Sequence, residues 1–173
     1  MKTIITLFAI VGMIAFTSCT GPEGAPGVPG QDGLLGSVYE NKSSSYYNFT
    51  SSNNYKVRFN FPKEIYDSDV VLVYRLAGVD NNGKAIWKFL PETYYQNNDA
   101  RDFSFNFNFT YSYVDIYMSG TNLITVSNDY RLNQIFRIVV VPADFASTVN
   151  KNNFTAVMTA LKINESQVQK VNF

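Results

Sequence analysis

Asp102-Phe103-Ser104-Phe105-Asn106-Phe107-Asn108-Phe109-Thr110-Tyr111-Ser112-Tyr113-Val114 puts an aromatic ring at every odd position from 103 to 113 and a small polar residue at every even position between them. Successive side chains of a strand point to opposite faces. One continuous strand would therefore carry all six rings on one side, in a row roughly 34 Å long at about 3.4 Å per residue. Typical strands reach only about 17 to 20 Å. Two readings follow. In one, the strand bends or bulges near Asn108 and serves both sheets of a sandwich, burying every ring. In the other, Tyr111 and Tyr113 emerge from one end as an exposed aromatic platform for a sugar or a protein partner. Tyr94 and Tyr95, beside Gln96-Asn97-Asn98, are a second candidate of the same kind, carried on a loop.

On either side of this run the chain also reads as strands. Lys56 to Phe61 alternates Val57, Phe59 and Phe61 with Lys56, Arg58 and Asn60, and stops at Pro62. Asp69 to Leu76 is a continuous apolar run, as a strand buried on both faces requires. The turn formers Gly78 to Gly83 separate it from Ala85 to Leu90, which predicts a hairpin. Leu123 to Val126 and Gln134 to Val141 are further strand candidates, the second ending at Pro142, and shorter ones lie at Ser37 to Glu40, Tyr46 to Thr50 and Val168 to Phe173. One helix is predicted: Asn152 or Asn153 caps it, and Phe154, Val157, Met158 and Leu161 form an apolar stripe. Many short strands with one late helix predict an all-β fold, an antiparallel β-sandwich of immunoglobulin-like type, over residues 37–173.

Upstream the chain changes character. Lys2 precedes an apolar run from Ile4 to Phe16, interrupted only by Thr6 and Gly12. The run is too short for the about 20 residues of a spanning helix, and it leads through Ala15-Phe16-Thr17-Ser18 to Cys19. This resembles the lipobox of a bacterial lipoprotein signal. Residues 1–18 are therefore expected to be a cleaved signal peptide, and Cys19 the lipidated first residue of the mature chain. Acyl burial is worth about 0.8 kcal/mol per methylene, so a diacylglycerol should hold the chain stably to a membrane. Cys19 is the only cysteine and there is no histidine, so it has no partner for a disulfide, a Cys/His metal site or a Cys-His catalytic pair.

Glycine then recurs at 21, 24, 27, 30, 33 and 36, with Pro22, Pro26 and Pro29 between. That is the collagen triplet period. Residues 19–36 are expected to form an extended stalk, the stretch from Gly21 to Gly36 spanning roughly 45 Å at about 3.1 Å per residue; trimerisation through it is the less favoured reading, since the last triplets lack proline.

Composition excludes several activities. Without Lys2 the chain carries 13 basic and 14 acidic side chains, with no basic run to suggest nucleic acid. The lack of histidine removes Ser-His-Asp triads and histidine-bound zinc. No G-x-G occurs, so no dinucleotide or phosphate loop is present, and no cofactor or metal is expected. Asp80-Asn81-Asn82-Gly83 is better read as a hairpin tip than as a calcium loop, whose twelfth position here is Pro91. The acid pairs Asp67/Asp69 and Asp99/Asp102 leave an acid-only glycosidase as the least favoured function.

Tyr66 to Leu76, Trp87 with Leu90-Pro91, Gln134 to Ala143, and Ala156 to Leu161 running into Asn164-Glu165-Ser166 together resemble a family of small Bacteroidota lipoproteins with collagen-like triplets behind the lipidated cysteine. The resemblance implies an envelope address but brings no activity, cofactor or site residues. Family members often have an acid directly after the cysteine, whereas here it is Thr20. The expectation is a non-catalytic module anchored in the outer membrane through Cys19, facing the periplasm or the cell surface, with a glycan or an envelope protein as its candidate partner. An inward-facing structural protein, trimeric through the stalk, is the alternative.

Overall fold

A computed structural model describes residues 36–95 and 101–172. The signal peptide, Cys19 and the glycine triplets up to Gly33 lie outside the described residues, as do Gln96, Asn97, Asn98 and Asp99. Among the described residues nine strands form two sheets. In chain order they are β1 (Ser37–Asn41), β2 (Lys56–Asn60), β3 (Asp69–Val79), β4 (Ala85–Phe89), β5 (Glu92–Tyr95), β6 (Arg101–Phe109), β7 (Tyr113–Gly120), β8 (Phe136–Pro142) and β9 (Gln169–Val171). The five-stranded sheet runs β4-β3-β8-β1-β9 and the four-stranded sheet β2-β7-β6-β5.

The molecule is thus the expected all-β sandwich, immunoglobulin-like in its two-sheet layering. Its strand order is its own, and one neighbour pair, β1–β9, is parallel. The other neighbouring strands among the described residues pair antiparallel.

Alternation on the central strands builds two cores. On β8, Phe136, Ile138 and Val140 face the other sheet, where they meet Phe49, Phe59, Phe105 and Ile116. Val139 and Val141 face the opposite way, toward Phe154, Val157, Met158 and Leu161 of the late helix. β3 divides likewise, Val71 and Val73 into the first core and Leu72 and Tyr74 into the second. This is why both strands read as unbroken apolar runs: they are buried on both faces. The helix, α3 (Phe154–Ala160), is capped by Asn153, whose side chain accepts from the Ala156 N–H, as its sequence predicts. Two shorter helices, α1 (Asn128–Arg131) and α2 (Ala143–Thr148), carry too little apolar periodicity to be legible beforehand.

Four expectations change. The aromatic run is not one bent strand. β6 ends at Phe109, the chain turns, and Tyr113 opens β7. The Thr110 N–H donates to the Tyr113 carbonyl at 2.9 Å, and the Thr110 hydroxyl accepts from the N–H groups of Ser112 and Tyr113. A residue in the polar phase of the alternation therefore doubles as a turn former, which hid the turn. The rings are not all buried either: Phe103 and Phe105 are, whereas Phe109 and Tyr111 are exposed.

Leu123 to Val126 is a 3-10 turn at Leu123–Thr125, not a strand; the Thr125 hydroxyl and N–H both return to the Asn122 carbonyl. The segment crosses between sheets and is too short to pair. Tyr46 to Thr50 makes a single bridge, Tyr47 to Gln134, although Tyr47 and Phe49 are buried as alternation demands. Tyr94 and Tyr95 sit on β5, not on a loop.

Candidate functional site

The outer face of the five-stranded sheet lies under α3 and the C-terminal segment, while the outer face of the four-stranded sheet is open. Register places its residues in rows. Arg58 on β2 stands opposite Asp115 on β7, which stands opposite Asn108 on β6; Lys56, Tyr117 and Asn106 form the next row. Lys56, Arg58, Asn60, Thr93, Tyr95 and Asn108 are exposed there.

At the centre of this face Asp115 accepts a two-pronged hydrogen bond from Arg58, Nε to Oδ1 at 2.6 Å and Nη2 to Oδ2 at 2.8 Å. Lys56 Nζ adds a third positive contact at 3.6 Å. The Arg58 hydrogen bond holds the Asp115 carboxyl below its usual range, against burial, which acts the other way. Asp115 in turn raises the Arg58 guanidinium. The guanidinium carbon lies 3.6 Å from the Tyr113 ring centroid. One side of that ring is therefore covered by Arg58, and the flat guanidinium is what faces solvent. Beside it, the Asn106 amide donates to both Ser104 and Ser119 hydroxyls at 2.9 Å. The face thus offers amides, hydroxyls and one stacked cation on a flat support, the chemistry that sugar hydroxyls and sugar ring faces complement.

The four expected tyrosines do not form one site. Tyr113 and Tyr95 lie on the open face near opposite ends of the sheet. Tyr111 is at the β6–β7 turn, 54% exposed. Tyr94 points inward: its ring stacks on Phe103 with centroids 4.6 Å apart, and its hydroxyl donates to Glu92 Oε1 and accepts from Arg75 Nη2, both at 2.6 Å. Phe103 and Phe109 are six residues apart, so the Tyr94 and Tyr111 ends are separated by roughly 20 Å.

Arg75 was hidden in an apolar strand. It is buried between the sheets, with Glu92 bound through Nε at 2.8 Å and Nη2 at 3.2 Å, and Gln134 Oε1 at 3.2 Å. Burial pushes the Glu92 carboxyl up, but Arg75, Tyr94 and Lys88 outweigh it and hold it below its usual range. Burial also raises the Tyr94 hydroxyl. An open cleft of about 420 Å³ reaches Arg75 and Gln134 from the α1 side. Both are already engaged, Gln134 donating to the carbonyls of Asp129 and Leu132, so the cleft meets satisfied groups.

A third arginine, Arg137, binds Glu40 and Glu165 under α3, its guanidinium 4.3 Å from the Trp87 ring centroid. Lys170 also pairs with Glu40. A lone arginine inside an otherwise apolar strand is the signal that points to both buried networks, since buried arginine is rare without a partner.

The expected acid pair Asp67/Asp69 has no shared catalytic setting: Asp69 accepts from the Tyr66 N–H, and Asp67 sits in the preceding turn. Asp80 folds its own hairpin tip, its Oδ1 accepting from the N–H groups of Asn82 and Lys84 at 2.8 Å. Among the described residues no three of Cys, Asp and Glu gather as a metal site, and no helix is long and apolar enough to cross a membrane. In comparisons with known proteins, the chain matches no family model, no curated protein and no solved structure.

Proposed function

We propose that the chain is a lipoprotein held to the outer membrane through Cys19, displaying a non-catalytic binding module whose ligand surface is the open face of β2, β7, β6 and β5. The ligand class is a glycan. The observation that carries this reading is the contrast between the faces of the two sheets. Leu72 and Tyr74 of β3 and Val139 and Val141 of β8 are buried under the late helix on their outer face, whereas the four-stranded sheet turns amides, hydroxyls and the Arg58–Tyr113 stack outward. A flat surface of this kind suits an extended polymer better than a small molecule, which needs a concavity. A non-catalytic role fits the buried carboxylates Glu40, Glu92 and Asp115, each of which is paired with an arginine.

The address is tested by protease shaving of intact cells, comparing wild type with Cys19→Ala and a periplasmic control. An outward-facing module is cut while the control survives; protection until the outer membrane is opened places it inside. Binding is tested by electrophoresis of the mature chain through gels containing neutral polysaccharides such as laminarin, mannan or xylan. Retardation in at least one gel, reduced roughly thirtyfold in affinity by Asn60→Ala with Asn108→Ala, supports the reading, at about 1 kcal/mol lost per hydrogen-bonding side chain. Normal migration in every gel counts against it.

A further inference from the structure

The described chain begins at Gly36, and Gly36 lies at the aromatic end of the sandwich. Gly36 precedes β1 there, together with the β2–β3 connection, the β6–β7 turn and the end of β8. Lys63, Ile65 and Tyr66 of the connection line a cavity of about 140 Å³ with Gly36, Ser37 and Val140, so the connection and the entry point are neighbours. The connection also runs along the turn: the Ile65 N–H donates to the Tyr111 carbonyl and the Phe61 N–H to the Ser112 carbonyl, both at 2.9 Å. Three aromatics stand out of this end into solvent. Tyr66 and Tyr111 are each 54% exposed and Phe109 is 40% exposed, the last lying parallel to Phe107.

We propose that this end is a bilayer-contact surface, on which Tyr66, Phe109 and Tyr111 dip into the lipid–water interface. The inference rests on the reading that Cys19 is anchored, because the anchor determines the occupant. Only sixteen residues of chain separate Cys19 from Gly36, and Gly36 lies at this end, so it is the end turned toward the lipid. Tyrosine partitions to membrane interfaces because its ring is apolar and its hydroxyl stays wet. The neighbouring charges, Lys63 against Glu64 and Asp67, give no net positive field, so buried apolar area and not attraction to anionic lipid drives the contact. Three half-exposed rings bind weakly alone, but a tether raises their local concentration to the order of millimolar, which makes weak contact sufficient. The open sheet face begins at this end, where Asn60 stands opposite Tyr113, and runs along the strands away from it toward Tyr95. Contact and a fully extended stand-off are opposite outcomes, so the proposal also decides how the glycine triplets are used.

Cys19 is the only cysteine, so the mature chain can be coupled through it to vesicles containing a maleimide-bearing phosphatidylethanolamine, which imposes the tether without relying on cellular lipidation. Tyr111→Trp and, as a control at the opposite end, Tyr95→Trp are then compared in vesicles with brominated acyl chains, each read against the wild-type signal of Trp87. Quenching at least threefold stronger for Tyr111→Trp, and lost when Phe109→Ser and Tyr66→Ser are added, is the expected result. Equal quenching at the two positions, or none at either, overturns the proposal. Whether Cys19 is lipidated in cells is read separately from the mass of the mature protein, so failure of the anchor and failure of the contact surface are distinguishable.

Discussion

The molecule builds the same small device twice, once under cover and once in the open. On the outer face of the five-stranded sheet, Arg137 lies over Trp87 and is bound by Glu40 and Glu165; on the outer face of the four-stranded sheet, Arg58 lies over Tyr113 and is bound by Asp115. The Arg137 side chain is 5% exposed and that of Arg58 44%. The covered copy is sealed by α3 and the C-terminal segment, which it ties to the sheet. Nothing comparable needs tying at the open copy, and its guanidinium is left to solvent. A stacked, paired arginine is therefore a structural clasp in one place and an available surface in the other, and burial decides which.

The largest effect should come from the covered copy. Arg137→Ala leaves the buried Glu40 carboxylate to Lys170 and removes the packing on Trp87, and should cost about 3 to 5 kcal/mol in urea unfolding, because removing one partner of a buried pair leaves a charge only partly compensated. A cost below about 1 kcal/mol would make the two copies alike and dissolve the comparison. Next comes the clasp between the sheets: Glu92→Gln leaves Arg75 with a neutral partner and should cost about 2 to 4 kcal/mol, measured the same way. Tyr94→Phe removes one hydroxyl from that network and should cost about 1 to 2 kcal/mol, the penalty for a lost bond to charged partners.

These networks also mark how far the sequence could be read. Period-two alternation located β2 and β6, a continuous apolar run located β3, and the Phe154-Val157-Met158-Leu161 stripe located α3, because apolar spacing is a local property. The β6–β7 turn escaped because Thr110 and Ser112 fit the alternation and the turn equally well. The site was less legible than the fold. Tyr113 was picked out by its ring, but its function depends on Arg58, which is set beside it by the β2–β7 register and not by sequence proximity. Asp115 binds an arginine 57 positions away. Tyr94 and Tyr95 looked like one loop feature, yet adjacent residues on a strand face opposite ways, which sent one into the core and the other to solvent.

Acid sharpens the comparison further. Asp115, Glu92 and Glu165 are all held below their usual range in the folded protein. Each therefore adds stability that is complete above the ordinary carboxylate pKa of about 4 and is lost as pH falls through the lowered folded values. Stability should be flat from about pH 7 to 5 and fall below about 4. Glu92→Gln should flatten that fall more than Asp115→Asn, whose carboxylate lies on the open face. Equal flattening would assign the two acids the same role.

The smallest expected effect on stability carries the central claim. Arg58→Ala should lower the urea midpoint less than Arg137→Ala does, since the side chain is 44% exposed against 5% and Lys56 stays beside Asp115, while abolishing the retardation of the mature chain in whichever polysaccharide gel slows the wild type. That result would make the open arginine a binding residue. Retardation that survives Arg58→Ala, or a midpoint that falls as far as that of Arg137→Ala, would contradict it and return the open face to a structural role.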